Sequence, residues 1–371
     1  VAGCIAACAA SALASGHAPL KGSTFCNGIR LQDEIVVLSA RSLCGSCDPE
    51  SLRAAIVVEN YAIHDEAGHR RWQPSDLESF LSFDPSVPTI FYVHGNQITP
   101  GEARSQGLAV YRRLAHYGSG DQAVRFVIFS WPSSRVGRLL QDVRVKAVRT
   151  GPAGCQLAWL IDQLPAETHV SLIGFSFGAR IVTGSLHVLG GGSLGGSMKL
   201  RDRAHPDRPP CDAVLIAAAL HCHWLGKGHY HGRAMSQVDK MFLLNNCRDL
   251  ALRYYHLSTP GRDHPQALGL HGPNCLGEDY ASKIQERDVS RYAGRQHDLF
   301  MYLCAPGAVG QVWAYTGEPA GRPGGEPVAL SAAPAAALNE AYALRMSRCA
   351  AAMTSGSPAL ILAAWILRGP T

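Results

Sequence analysis

The chain has 371 residues, 47% hydrophobic and 17% charged, enough apolar mass for one large globular domain or two modest ones. Its net charge of +5 is mild for this length, and no run of five Lys or Arg occurs, so the composition excludes a nucleic-acid footprint. No apolar run reaches the ~18 residues that a membrane span requires; Ala359 to Leu367 is too short.

In chain order, Val1 to Ala14 is apolar and built from small residues, and Ala12-Leu13-Ala14 suits a cleavage site. The reading is a signal-peptide remnant over residues 1–20 and an exported protein, periplasmic or extracellular. Val1-Ala2-Gly3-Cys4 looks like a lipoprotein box, but it precedes the hydrophobic stretch instead of following it, which speaks against a lipid anchor. The 12 cysteines favour an oxidising compartment. Cys44-Gly45-Ser46-Cys47 has neither the thioredoxin-like context of a redox pair nor the second pair of a zinc site, so a local disulfide or two ordinary thiols is expected.

Two β-branched runs, 34–39 and 54–59, predict strands, with no long helix between them and hence an antiparallel opening. Thr89 to Val93 predicts a buried strand ending in His94-Gly95-Asn96. A helix follows over 103–116, then a strand over 124–130 ending in Trp131-Pro132-Ser133, then a long helix over about 137–164. His169 to Ile173 is a further strand, and the helix after it stops near Gly190. Strands are also predicted at 212–218, 240–245 and 284–289, with a last helix starting near Asp298. Alternating strands and helices, apolar on both faces, predict an α/β fold with a mostly parallel central sheet and helices on both faces. Residues 317–371 read as a Gly/Pro/Ala-rich tail with one Ala-rich helix over 335–352.

Gly174-Phe175-Ser176-Phe177-Gly178 joins a predicted strand to a predicted helix, the sequence form of a nucleophile elbow. Glycines two residues either side of the serine let the turn close without a side-chain clash. A serine hydroxyl needs a base, and in a parallel sheet functional groups collect at the carboxyl ends of strands. Asp249 lies just past the strand at 240–245 and His297 just past the strand at 284–289. His297 is the expected general base and Asp249 the group that fixes its tautomer. The bland alternative for Asp249 is an acid favouring a helix dipole. Asp263 is a spare acid, and His256, His264 and His271 are rival bases that precede the last strand. Two N–H donors are expected for an oxyanion, from the backbone amides of Phe177 and Asn96.

These residues carry a resemblance. The order Ser176, Asp249, His297 is that of α/β-hydrolases, which the chain resembles over roughly residues 30–310. It is most similar to a bacterial α/β-hydrolase family of unknown function marked by H-G, W-P-S and D-x-A-L segments, here His94-Gly95, Trp131-Pro132-Ser133 and Asp249 to Leu252. That family has His before the elbow serine, where this chain has Phe175. It also has aspartates where this chain has Leu220-His221-Cys222-His223. The resemblance implies an α/β-hydrolase catalytic domain over 30–316. With the candidate triad, the expectation is a serine esterase acting on small-molecule or lipid-like esters through an acyl-serine, with no cofactor. Lipase, thioesterase and amidase chemistry share this machinery, and a non-catalytic hydrolase-fold binding protein is the reading from another class.

Trp131, Phe175 and Trp224 are expected to line the substrate site. His221-Cys222-His223 and His229-Tyr230-His231 have spacing that suits zinc or copper, but no carboxylate stands nearby to orient the rings. A wall or partial lid over the cleft, without metal, is therefore expected of this segment.

Overall fold

A computed structural model describes residues 25–317, apart from 27, 45–46, 66–67, 119–121 and 259–263. The expected leader, lipoprotein box and tail beyond 317, and the spare acid Asp263, lie outside the described residues.

Nine strands of the described residues form one sheet: β1 (Glu34–Ser39), β2 (Val57–Ile63), β3 (Arg70–Ser75), β4 (Thr89–Val93), β5 (Arg125–Ser130), β6 (Val170–Phe175), β7 (Cys211–Ile216), β8 (Val238–Asn245) and β9 (Ile284–Asp288). Their spatial order is β9-β8-β7-β6-β4-β5-β1-β2-β3. Strands from β1 to β9 across the sheet run parallel, and β2 and β3 close the other edge as an antiparallel ribbon. The fold class is therefore α/β with a mostly parallel sheet flanked by helices, as expected.

Burial follows from position. Every residue of β4, β5, β6 and β7 is buried, which requires cover on both faces. Helices α1 (Pro100–Ala115), α2 (Leu139–Gln163), α3 (Phe177–Leu189), α4 (Leu299–Leu303) and α5 (Ala308–Thr316) supply much of that cover. The longest contact between helices is α2 against α3, while α5 packs on α1 and on β6 to β8. Local chemistry sets the ends. Thr99 and Glu102 close a reciprocal capping box, with Pro100 in the first turn of α1. Asp298 accepts from the Met301 amide to start α4.

Two expectations need correction. The second strand begins at Val57, not Ala54, because Asp48 caps a short helix over Pro49–Ala54 that takes up the start of that run. Strand β3 was not foreseen: it is a half-exposed edge strand containing Pro74, and its pattern has little apolar alternation. The Cys44/Cys47 pair is not a local disulfide. Cys47 is bonded to Cys155 in α2, and Cys44 is free.

The parallel strands bring five chain segments to one edge of the sheet: the turn after β4, the elbow after β6, the segment after β7, and the loops after β8 and β9. Those segments carry His94 to Asn96, Ser176, Ala217 to His221, Asp249 and His297.

Candidate active site

Ser176 joins β6 to α3 with φ 55° and ψ −118°, a conformation a non-glycine residue rarely adopts. Such a backbone costs about 1–3 kcal/mol and persists only where its surroundings over-determine it. The surroundings here are hydrogen bonds and two glycines. The Ser176 amide donates to Ile216 O (2.9 Å), and Ser176 O accepts from the amides of Ala179 (3.1 Å) and Ala219 (3.2 Å). A Cβ on Gly174 would stand 2.6 Å from the Ala179 backbone, and one on Gly178 would fall on the Val93 carbonyl oxygen. Only glycine permits this closeness of strand, turn and helix.

His297 follows β9 and meets both expected partners. Its Nε2 is 2.8 Å from Ser176 Oγ and its Nδ1 is 2.7 Å from Asp249 Oδ2. Asp249 is fully buried. Its Oδ1 accepts from the Leu252 amide (3.0 Å), and its Oδ2 also accepts from the Tyr302 hydroxyl (2.6 Å). The helix-capping alternative for Asp249 thus holds together with the partner role: one oxygen caps, the other faces the imidazole. An acceptor-only carboxylate fixes the proton of His297 on Nδ1 and leaves Nε2 to accept from the serine. The loops are bonded to each other as well, Asn246 Nδ2 to Gly294 O (3.0 Å) and Leu250 N to Arg295 O (3.3 Å). Phe175 is 8% exposed and stacks on the His297 ring at 5.3 Å. Ser176 is 6% exposed and the His297 side chain 18%, so the pair is covered but reaches solvent.

The turn after β4 lies against the elbow. A Cβ on Gly95 would be 2.8 Å from the Phe175 ring and 3.4 Å from Ser176 Cβ. Asn96 is held by its side chain, Nδ2 donating to Asp142 Oδ2 (2.9 Å), and Gln97 Nε2 donates to the same oxygen (3.3 Å). Asp142 Oδ1 accepts from Lys146 Nζ (2.7 Å) and the Val136 amide (2.7 Å), with both members of the ion pair fully buried. Burial opposes the charge on Asp142, yet these donors hold its carboxyl below the usual range. Among the described residues no acceptor takes the Asn96 amide hydrogen. The Phe177 amide is the first N–H of α3, of the kind a helix leaves without an internal partner.

His94 is buried, and burial depresses it to about 3, so it is neutral at physiological pH. It stacks on Trp131, whose Nε1 donates to His94 O (2.8 Å). Ser133 Oγ donates to Ile98 O (2.9 Å) and accepts from the Ile98 amide (3.2 Å). The W-P-S segment thus clamps the turn that carries Asn96. Trp131 was expected to line the substrate site; it is 0% exposed, and its polar edge is committed to this clamp, so it presents no surface to a ligand.

Trp224 is 7% exposed and packs on α3 through Arg180, whose guanidinium carbon lies 4.6 Å from the ring centroid. It also stacks on His221 at 4.2 Å. The histidine segment is sewn to residues 266–274, by Cys222 N to Gln266 O and Asn274 N to Cys222 O. His231 Nδ1 is 2.9 Å from Thr183 Oγ1 of α3, and His221 Nδ1 is 2.9 Å from the Tyr255 hydroxyl. Among the described residues no group of three or more His, Cys, Asp or Glu is placed to hold a metal ion. Of the rival bases, His256 and His264 pack on each other and His271 is exposed.

Three residues at the site were not anticipated: Tyr302, Asp142 and Arg180. Tyr302 lies five residues past His297, on the helix that starts at the end of the His297 loop, and that proximity was its one signal. Asp142 and Arg180 gave none.

No family model matches the chain, and no curated protein matches it. Among solved structures, an inhibited esterase B from Lactobacillus rhamnosis aligns over 77% of this chain and 82% of that one, at 12% identity and a TM-score of 0.31. At that distance the likeness bears on no residue.

Proposed function

We propose that the protein is a serine hydrolase of the α/β-hydrolase type, cleaving carboxylic esters through an acyl-serine intermediate. Ser176 is the nucleophile in this reading. His297 Nε2 takes its proton as Oγ attacks the ester carbonyl, and returns it to the departing alkoxide. Asp249 holds the imidazole in the tautomer that leaves Nε2 free and stabilises the imidazolium that forms. The amides of Asn96 and Phe177 receive the negative charge of the tetrahedral intermediate. Water then attacks the acyl-serine by the same proton route in reverse. Side chains and backbone amides cover each step, so no cofactor is invoked.

The observation that carries this reading is the unbroken hydrogen-bond chain from Asp249 through His297 to Ser176, set on a serine with φ 55°. A serine, a histidine and an aspartate from three loops do not acquire both contacts on a strained turn for stability alone. The resemblance to the bacterial α/β-hydrolase family belongs to the same proposal, as does esterase in preference to lipase, thioesterase or amidase. Export is part of it too, supported by the Cys47–Cys155 disulfide, a bond that persists in oxidising compartments.

A fluorophosphonate probe tests the proposal. The wild-type protein should be labelled and Ser176→Ala should not. Hydrolysis of p-nitrophenyl esters should fall on the order of 10⁴-fold or more in the variant. A well-folded wild type that takes no label refutes the enzyme reading.

A further inference from the structure

Arg180 lies on α3 one turn beyond Ser176. Helical side chains lean toward the N-terminus, which turns Arg180 toward the start of α3, where the Ser176 turn enters it. Its guanidinium packs on Trp224, and its charge is felt by the groups around it. Burial and then that charge hold His221 down to about 3; burial pushes the Tyr255 phenol up to about 12 while Arg180 opposes the rise. The segment that leads into this wall is bonded to the elbow, Ala219 N to Ser176 O at 3.2 Å.

Among the described residues this cation has no carboxylate within ion-pair distance. No Asp or Glu occurs between Asp212 and Asp239, although Lys227, Arg233 and four histidines do. Arg180 joins none of the ion pairs of the described residues; its guanidinium hydrogen-bonds the Tyr255 hydroxyl, and its Nη1 is buried with no hydrogen-bond partner. Four other arginines, Arg30, Arg104, Arg125 and Arg203, each pair with a carboxylate, and Arg208, which joins no ion pair, is served by the carbonyls of Leu164, Pro165 and Thr168. A buried charged donor left unpaired is costly, and a planar guanidinium is suited to a carboxylate.

We propose that Arg180, with Tyr255 and His221 beside it, forms a carboxylate-binding subsite next to Ser176, so that the protein prefers esters whose acyl or alcohol part carries a carboxylate. The proposal rests on the hydrolase reading for its substrate, not for the binding itself. One guanidinium, with the imidazoles of His221 and His231 held neutral beside it, matches a monoanion better than a dianionic phosphate.

The test compares two esters of equal chain length, mono-4-nitrophenyl glutarate and 4-nitrophenyl pentanoate, in the wild type, Arg180→Gln and Arg180→Lys. The ratio of kcat/KM for the anionic over the neutral ester should fall on the order of 10- to 100-fold in Arg180→Gln, with Arg180→Lys retaining more of it. Because the ratio is read within each variant, a smaller folded fraction does not alter it. In parallel, calorimetry measures glutarate binding to the Ser176→Ala protein, which needs no turnover, with inorganic phosphate as competitor. Glutarate should bind, and adding Arg180→Gln should abolish it. An unchanged ratio with fluorophosphonate labelling intact overturns the subsite and leaves the hydrolase standing. Glutarate binding that depends on Arg180 in a protein that takes no label supports the subsite while the hydrolase reading fails. Phosphate binding more tightly than glutarate overturns the assignment to a carboxylate.

Discussion

Two histidine-bearing regions lie at the same edge of the sheet and differ in one respect. His297 has a carboxylate 2.7 Å from one ring nitrogen and a hydroxyl 2.8 Å from the other. The histidines of 221–231 have rings, hydroxyls and a guanidinium for company, and among the described residues no carboxylate pairs with them. His221, His223 and His231 are accordingly held down, by burial first and then by neighbouring positive groups. An imidazole becomes a base when a fixed anion can stabilise the proton it takes; the same ring beside Arg180 is kept neutral and serves as packing.

The sharpest way to break the comparison is to remove the anion. Asp249→Asn keeps the volume and the capping acceptor but presents an amide to His297, so kcat for ester hydrolysis should drop on the order of 10⁴-fold. A drop under tenfold in steady-state assays would make the two regions alike. Next comes the second buried anion of the site. Asp142→Asn leaves Lys146 charged and unpaired in the interior, which should cost about 3–5 kcal/mol in urea unfolding. Freeing the Asn96 turn should lower kcat on the order of 10²-fold, as loss of one oxyanion donor does. Tyr302→Phe removes one of three donors to Asp249, and kcat/KM should fall about tenfold, close to the ~1.5 kcal/mol of a hydrogen bond to a charged group.

A stability measurement sharpens the contrast without touching activity. His94 stays neutral in the fold down to about 3 and takes up a proton near 6.5 once unfolded. Its folded pKa is depressed, so its contribution is full above about 6.5 and is lost as pH falls toward 3. The unfolding free energy should therefore drop by up to about 1.4 kcal/mol per pH unit from this residue alone, and His94→Asn should flatten the slope. The smallest effect is expected in the other region: His223→Gln and His229→Gln should leave ester hydrolysis within about twofold. A loss of a hundredfold or more in either would give the segment a role in chemistry.

What was legible in advance divides along local and long-range lines. The elbow, the strand ends and the order Ser176, Asp249, His297 were readable because each is declared by its own few residues: an apolar run, flanking glycines, a polar residue just past a strand. Asp142 was not, since it reaches Asn96 from 46 positions along the chain, inside a helix pattern where an acid ordinarily faces water. Trp131 was placed on the ligand side because its position after a strand is local information; that its indole donates to His94 O depends on how two loops pack. Strand β3 escaped because an edge strand has no buried face to pattern.

The Cys47–Cys155 bond spans 108 positions, and the ring it closes encloses β4, the His94–Asn96 turn and the Asp142–Lys146 pair. Ser176, Asp249 and His297 lie outside that ring. On a chain-entropy account a loop of this size is worth about 4–5 kcal/mol, and that sum is applied to only one half of the site. Production in a reducing cytoplasm would thus bear first on the His94–Asn96 turn, so on the proposed mechanism a preparation with an intact serine and histidine should turn over poorly until it is oxidised.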